Sequence, residues 1–284
     1  MNTSEKPAVV PRLDREEYVE QAHFFQALLE RIKDNIPLQE VMESIQHEIL
    51  ATTKLPMAIS FLLSELKHAG GFGSAMSRLS HYFTPYQTFV VQQAEDDRGR
   101  FDLRVALAIL QSEAKYRIEA PTPQGIFLYQ FETLSRNRLP FDAGLSAMAK
   151  DPIFDPDWSE WIYIVRRQVG IVDLADLIFV RSDLYFEQSQ RRGQKVDAAC
   201  LFGDKEGKIA QANRHKNPLL LFAALQRHLG YPVVPRPQPA DESQNLLPLL
   251  VRRVERMEAR IKLLEDEQKG GIDLNKFYQP PPGS

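Results

Sequence analysis

The chain has 284 residues, of which 43% are hydrophobic and 26% charged, and its formal net charge is −3. This is the composition of an ordinary folded protein with enough length to bury one or two cores. It excludes wholesale electrostatic attraction to nucleic acid, though not a local basic patch. The strongest apolar runs, FLL, VALAIL and LLLFAAL, fall well short of the roughly 18 to 20 residues that cross a bilayer. The opening MNTSEKPAVVPRLD has no basic start, apolar centre or small-residue cleavage site, so a cytoplasmic location without membrane insertion is the expectation. Cys200 is the only cysteine, which rules out an internal disulfide and any multi-cysteine zinc site.

A polar tail over 1–13 leads into a mainly α chain. Asp14 and Glu17 have the spacing of a capping box, and Tyr18, Ala22, Phe25, Leu29 and Ile32 recur at three- and four-residue steps. Asn35-Ile36-Pro37 stops that helix. A second starts near Leu38 with Val41, Ile45 and Ile49 on one face. A third opens at Pro56 and ends at Gly70-Gly71, and a short fourth holds Met76, Leu79 and Phe83. Thr84-Pro85 starts a fifth, because the Thr hydroxyl can cap and Pro lacks the amide that would go unpaired. It is expected to end at Gly99. Asp102 caps a sixth with Val105, Leu107, Ala108, Leu110 and Ala114 on its face. Residues 14–120 therefore read as a six-helix bundle of three antiparallel hairpins.

Between the last two helices lies AEDDRGRFD. Asp96 and Asp97 are expected in the last turn of the fifth helix, where the negative end of the dipole disfavours carboxylates by about 0.3 to 1 kcal/mol each. Local helix energetics leave them unexplained. Arg98 and Arg100 can neutralise them as a solvated cluster. Alternatively, Glu95, Asp96 and Asp102 form a weak cation site or a surface for a basic partner, since clustered carboxylates suit hard cations. No EF-hand loop is present.

The runs FFQALLERIKDNIPLQEVMESI and GGFGSAMSRLSHYFTPYQTFVVQQAEDDRGRFDLRVAL, over residues 20–118, resemble the cytoplasmic helical domain of the platform proteins of type II secretion and type IV pili, family F. The Ile36-Pro37-Leu38 turn, Gly70-Gly71 before Ala75-Met76, and Phe83-Thr84-Pro85 match that family in order, the last with one residue inserted. Counted back from Gly99, Asp96 falls where the family has Glu, with Glu95 in place of its first Gly and Arg98 in place of its Ser. The resemblance implies a compact six-helix bundle and a link to a membrane-bound secretion or pilus assembly. Family members carry transmembrane helices and this sequence shows none, so the implied relative is a detached one that docks on such a machine or keeps only the fold.

Residues 121–236 read as a second, mostly α domain with a few possible short strands. FLYQFETLSRNRLPFDAGLSAMA, with Pro140 placed as Pro37 is in the first half, suggests a diverged copy of the bundle. A helix starts at Asp157-Trp158. DLIFV and AACLF are open between short strands and buried helix pieces, and Trp158 and Trp161 are expected in the core. FGDKEGKIAQANRHKNP fails the phosphate-loop pattern, because Gly203 and Gly207 enclose only three residues and Ile209 follows Lys208. It reads instead as a glycine turn into a helix. From Leu201 to Arg236 six Lys and Arg oppose two acids, so Lys205, Lys208, Arg214, Lys216 and Arg227 are candidate anion contacts. Asn217-Pro218 begins a helix that ends at Gly230.

A Pro-rich stretch from Tyr231, assigned as a linker over 237–244, precedes a coiled-coil pattern over 245–269. Leu247, Leu250, Val254, Met257, Ile261 and Leu264 alternate steps of three and four as a and d positions. With Leu247 as a, Arg253 and Arg260 at g would attract Glu258 and Glu265 at e in a parallel dimer. A loose tail follows over 270–284. No pair of the six histidines has helical metal spacing, and GLSAM lacks the second Gly of a nucleophile elbow. The sequence therefore points to a non-catalytic, self-associating assembly protein without cofactor. The alternative is a module that binds nucleic acid or an acidic partner through the 201–236 segment.

Overall fold

In the computed structural model, residues 13–32, 36–69, 71–96 and 101–237 are described. Contacts divide the chain into two units, Met1–Pro237 and Gln238–Ser284. The coiled-coil stripe Leu247 to Leu264, the tail, Asp97 and Gly99 lie outside the described residues.

Thirteen helices occur among the described residues, and the first six begin at or next to the punctuation in the sequence, α3 at Leu55 rather than the Pro56 expected. α1 (Arg15–Ile32) buries Phe24, Phe25 and Leu28. α2 (Leu38–Gln46) starts after Pro37 and buries Val41, Met42 and Ile45. α3 (Leu55–Ala69) precedes α4 (Phe72–Arg78). α5 (Pro85–Glu95) opens with a full capping box: Thr84 Oγ1 accepts from the Gln87 amide, and the Gln87 side chain accepts from the Thr84 amide. α6 (Leu103–Ile118) is capped by the Asp102 carboxylate, which accepts from the Arg104 amide at 2.7 Å.

Three expectations change here. The Asp14–Glu17 capping box does not describe the Glu17 carboxylate, which leaves its own helix. Its Oε1 accepts from the Lys54 amide at the head of α3, and its Oε2 accepts from the Tyr82 hydroxyl, both at 2.8 Å. α5 ends at Glu95, short of the Gly99 expected, with Asp96 already extended (φ −73°, ψ 108°), so Asp96 does not belong to its last turn. On α6 the buried stripe is Ala106, Leu107, Ile109, Leu110 and Ala114, while Val105 and Ala108 are only half-buried.

The second half continues with helices. α7 (Pro123–Arg136), α8 (Phe141–Met148), α9 (Pro156–Gln168), α10 (Leu174–Phe179), α11 (Asp183–Arg191), α12 (Asp204–Asn213) and α13 (Pro218–Leu229) complete the order. The short strands expected here are not seen among the described residues. DLIFV is largely α10, and AACLF reaches only an isolated bridge between Ser182 and Phe202. The run DLIFV is too short for periodicity to decide, and capping decides it: Asp173 accepts from the Ala175 amide and starts a helical turn. α9 begins slightly earlier than Asp157, at Pro156, with Asp155 as its cap. α13 has the expected Asn217 cap and ends at Gly230, whose left-handed φ of 71° suits a residue without a side chain.

Pro37 and Pro140 both stand at the N-cap of the second helix of their half, but among the described residues the first half has six helices, α1–α6, and the second has seven, α7–α13. The packing is not the same in each. α1 lies chiefly along α6, whereas α7 packs on α8 and α13.

One buried apolar cluster runs from Ala22 to Val234 across both halves. Trp158 and Trp161 lie inside it against Phe127 and Phe202, with ring centroids 4.7 to 5.9 Å apart. The Pro-rich stretch starting at Tyr231 is docked at first rather than free. Tyr231 and Val234 are buried, the Tyr231 hydroxyl donates to Glu132 Oε2 at 2.8 Å, and Asn137 Nδ2 donates to the Pro235 carbonyl.

Candidate functional site

The polar groups that might carry chemistry come to rest mainly on the backbone or on one another. The Glu95 carboxylate reaches across from the last turn of α5 to the start of α4, accepting from the Phe72 amide at 2.6 Å and the Gly73 amide at 2.7 Å. An acid that is unfavourable at the negative end of its own helix is favourable at the positive end of the next. Gly73 permits this approach, because a Cβ there would meet Gln92 Cγ at 2.6 Å and Glu95 Oε2 at 3.0 Å. Asp102 is occupied in capping α6. Glu95, Asp96 and Asp102 do not form a ligand cluster among the described residues.

The most buried polar constellation joins the two halves. Glu113 and Arg117 on α6, Gln130 on α7 and Asp151 after α8 are all nearly inaccessible. Glu113 Oε1 accepts from Arg117 Nε at 3.0 Å, from Arg117 Nη2 at 2.6 Å and from Gln130 Nε2 at 3.0 Å. Asp151 accepts from both terminal nitrogens of Arg117 and from the Ile153 amide. Burial holds the Glu113 carboxyl above its usual range, with Arg117 opposing and Asp151 reinforcing the shift. Burial alone would lower the Arg117 value, but Asp151 and Glu113 outweigh it and keep the guanidinium charged. Glu113 Oε2 and Gln130 Oε1 have no partner.

The lone thiol is equally restrained. Cys200 is exposed as a residue, yet its sulfur turns inward to Asp183 Oδ1 at 3.0 Å and to the Arg181 and Phe202 carbonyls. Burial and the Asp183 hydrogen bond push the thiol up to about 12, the opposite of what an activated nucleophile requires.

Of the candidate anion contacts, Lys208 pairs with Asp204 at 2.6 Å, and Arg214 pairs with Asp176 while its guanidinium lies 5.4 Å from the Phe179 ring centroid. Lys205, Lys216 and Arg227 are exposed. The five are therefore not a single free basic face.

Two features were not legible in the sequence. Asp173, Asp176 and His215 bring ligand-type atoms within 4.8 Å of one another, from positions that no linear motif connects. Both Asp173 oxygens are engaged, by the Ala175 amide at 3.1 Å and the His215 amide at 2.8 Å, and Asp176 is held by Arg214. Beside this cluster lies an apolar groove of about 440 Å³ whose walls come from α7, α9, α10, α13 and the turn at Val169–Val172. Ile171 projects from that turn with 83% of its surface exposed.

Comparison with protein-family models, curated proteins and solved structures gives no match to this chain. Among the described residues, no helix is long and apolar enough to cross a membrane.

Proposed function

We propose that this chain is a non-catalytic assembly protein that associates with itself through the heptad stripe at 245–269. The sequence over residues 20–118 resembles the cytoplasmic platform domain of secretion and pilus machines, and such an assembly is the partner class this reading favours. The observation that carries the non-catalytic part is the commitment of its polar groups. Glu17 and Glu95 hold the amides at the heads of α3 and α4, Glu113 and Asp151 hold Arg117, and the Cys200 thiol is stabilised in its protonated form by Asp183. These groups position helices and leave little for substrate.

Self-association is supported by the a and d residues Leu247, Leu250, Val254, Met257, Ile261 and Leu264, which would give a two-stranded seam with attractive g–e pairs. Three heptads are marginal as an isolated helix, so pairing is what would make the pattern worthwhile. Light scattering on the full chain tests this, with the apparent mass compared between the wild type and a variant carrying Leu250→Lys and Met257→Lys. An oligomer that falls to a monomer supports the reading; a wild-type monomer at micromolar concentration counts against it.

A further inference from the structure

The groove between α7, α9, α10 and α13 has a chemistry of its own, independent of self-association. Its volume, about 440 Å³, lies within the roughly 300 to 1,000 Å³ typical of small-ligand sites. Phe131, Phe141, Val165, Leu177 and Phe222 make the walls apolar. Apart from the turn at Val169–Val172 and the residues just before α10 and α13, the walls are helices, and no strand among the described residues offers an edge to an extended peptide. Recognition falls to side chains.

Among the described residues, two charged ones line the groove, Asp173 and Lys216. They are not equivalent. Asp173 stays anionic but has one oxygen on the Ala175 amide and the other on the His215 amide, so two backbone donors stabilise its charge from the protein side. Lys216 is exposed and has no ion pair among the described residues. It also stands two residues before Pro218, the first residue of α13, where the positive end of a twelve-residue helix adds to its field. An apolar floor with one available cation at its mouth is complementary to a molecule with an apolar body and a single anionic head.

We propose that this groove binds a small amphiphilic monocarboxylate, with the hydrocarbon or aromatic body against Phe131, Phe141 and Phe222 and the carboxylate on the Lys216 ammonium. A neutral or cationic amphiphile of equal length lacks the second contact. An anion without an apolar body lacks the first.

Calorimetric titration of the full chain with decanoate, decanol, decylamine and acetate tests the assignment. Decanoate is expected to bind about fivefold or more tightly than decanol, a modest factor because the ion pair is partly solvated. Acetate should not bind measurably. Lys216→Ala should abolish the preference for decanoate over decanol while leaving the thermal midpoint unchanged, since Lys216 is exposed. Lys216→Arg should restore it. Ser135→Phe, which places a ring in the groove from α7, should weaken both decanoate and decanol. Equal binding of decanoate and decanol by the wild type, a preference that survives Lys216→Ala, or no binding of decanoate at millimolar concentration would each overturn the proposal. The oligomer mass is a separate readout, so failure of either idea leaves the other standing.

Discussion

Replacing Arg117 with Met should be among the most damaging single changes available in the described core. The guanidinium sits with only 4% of its side chain exposed, and the two carboxylates it serves, Glu113 and Asp151, are fully enclosed. Met fills comparable volume, so the cost is electrostatic rather than a cavity. Removing one partner of a buried ion pair leaves uncompensated charge and typically costs about 3 to 5 kcal/mol. At about 2 to 4 °C per kcal/mol for a unit of this size, the thermal midpoint should fall by roughly 6 to 20 °C. Differential scanning calorimetry reads this directly. A loss below about 1 kcal/mol would mean that the carboxylates are effectively solvated, and that the network does not join α6, α7 and the loop after α8 as described.

Glu113→Gln should be tolerated far better, because with Glu113, Arg117 and Asp151 all charged the site holds one net negative charge, which a proton on Glu113 removes. Its carboxyl is raised in the folded state, so its contribution is fully present below the unfolded value of about 4.3 and is lost as pH rises through the folded value. Calorimetric midpoints should therefore decline between mildly acidic and alkaline pH more steeply in the wild type than in Glu113→Gln; identical slopes would refute a raised Glu113. Glu95→Ala should cost about 1 to 2 kcal/mol by loss of the two amide contacts at α4, and hydrogen exchange should speed up at Phe72 and Gly73 first. An unchanged exchange rate at those amides would return Glu95 to the role of a solvated acid. Cys200 should react with iodoacetamide at pH 8 at least about tenfold more slowly than a free cysteine, and Asp183→Asn should accelerate it. Rapid alkylation of the wild type would remove one of the supports for a non-catalytic reading.

Helix termini were the most legible part of this fold. Thr84-Pro85, Asp102, Asn217-Pro218 and Gly230 each act through atoms within a few residues, so a linear reading can see donor and acceptor together. The failures share the opposite property. Glu17 looks like the third residue of a capping box after Asp14, but its partners are Lys54 and Tyr82, at sequence separations of 37 and 65. Glu95 looks misplaced at the end of α5 until the head of α4 is set against it. In AEDDRGRFD, Glu95 accepts from the amides at the head of α4 and Asp102 caps α6; the task of Glu95 is the one that neither spacing nor the family resemblance pointed to. The groove depends on several helices converging, and the Asp173, Asp176 and His215 cluster sets the start of α10 against the loop between α12 and α13; no periodicity encodes either. DLIFV was undecidable at five residues because a buried strand and a buried helical turn share the same apolar composition.

Self-association is read directly from the solution mass of the full chain by multi-angle light scattering across a micromolar dilution series. The wild type should hold a multiple of 32.6 kDa, and the full chain bearing Leu250→Lys and Met257→Lys should give 32.6 kDa with an unchanged circular dichroism melt of the remaining helices. A wild-type mass of 32.6 kDa throughout, or an oligomer that both lysines leave intact, would contradict it.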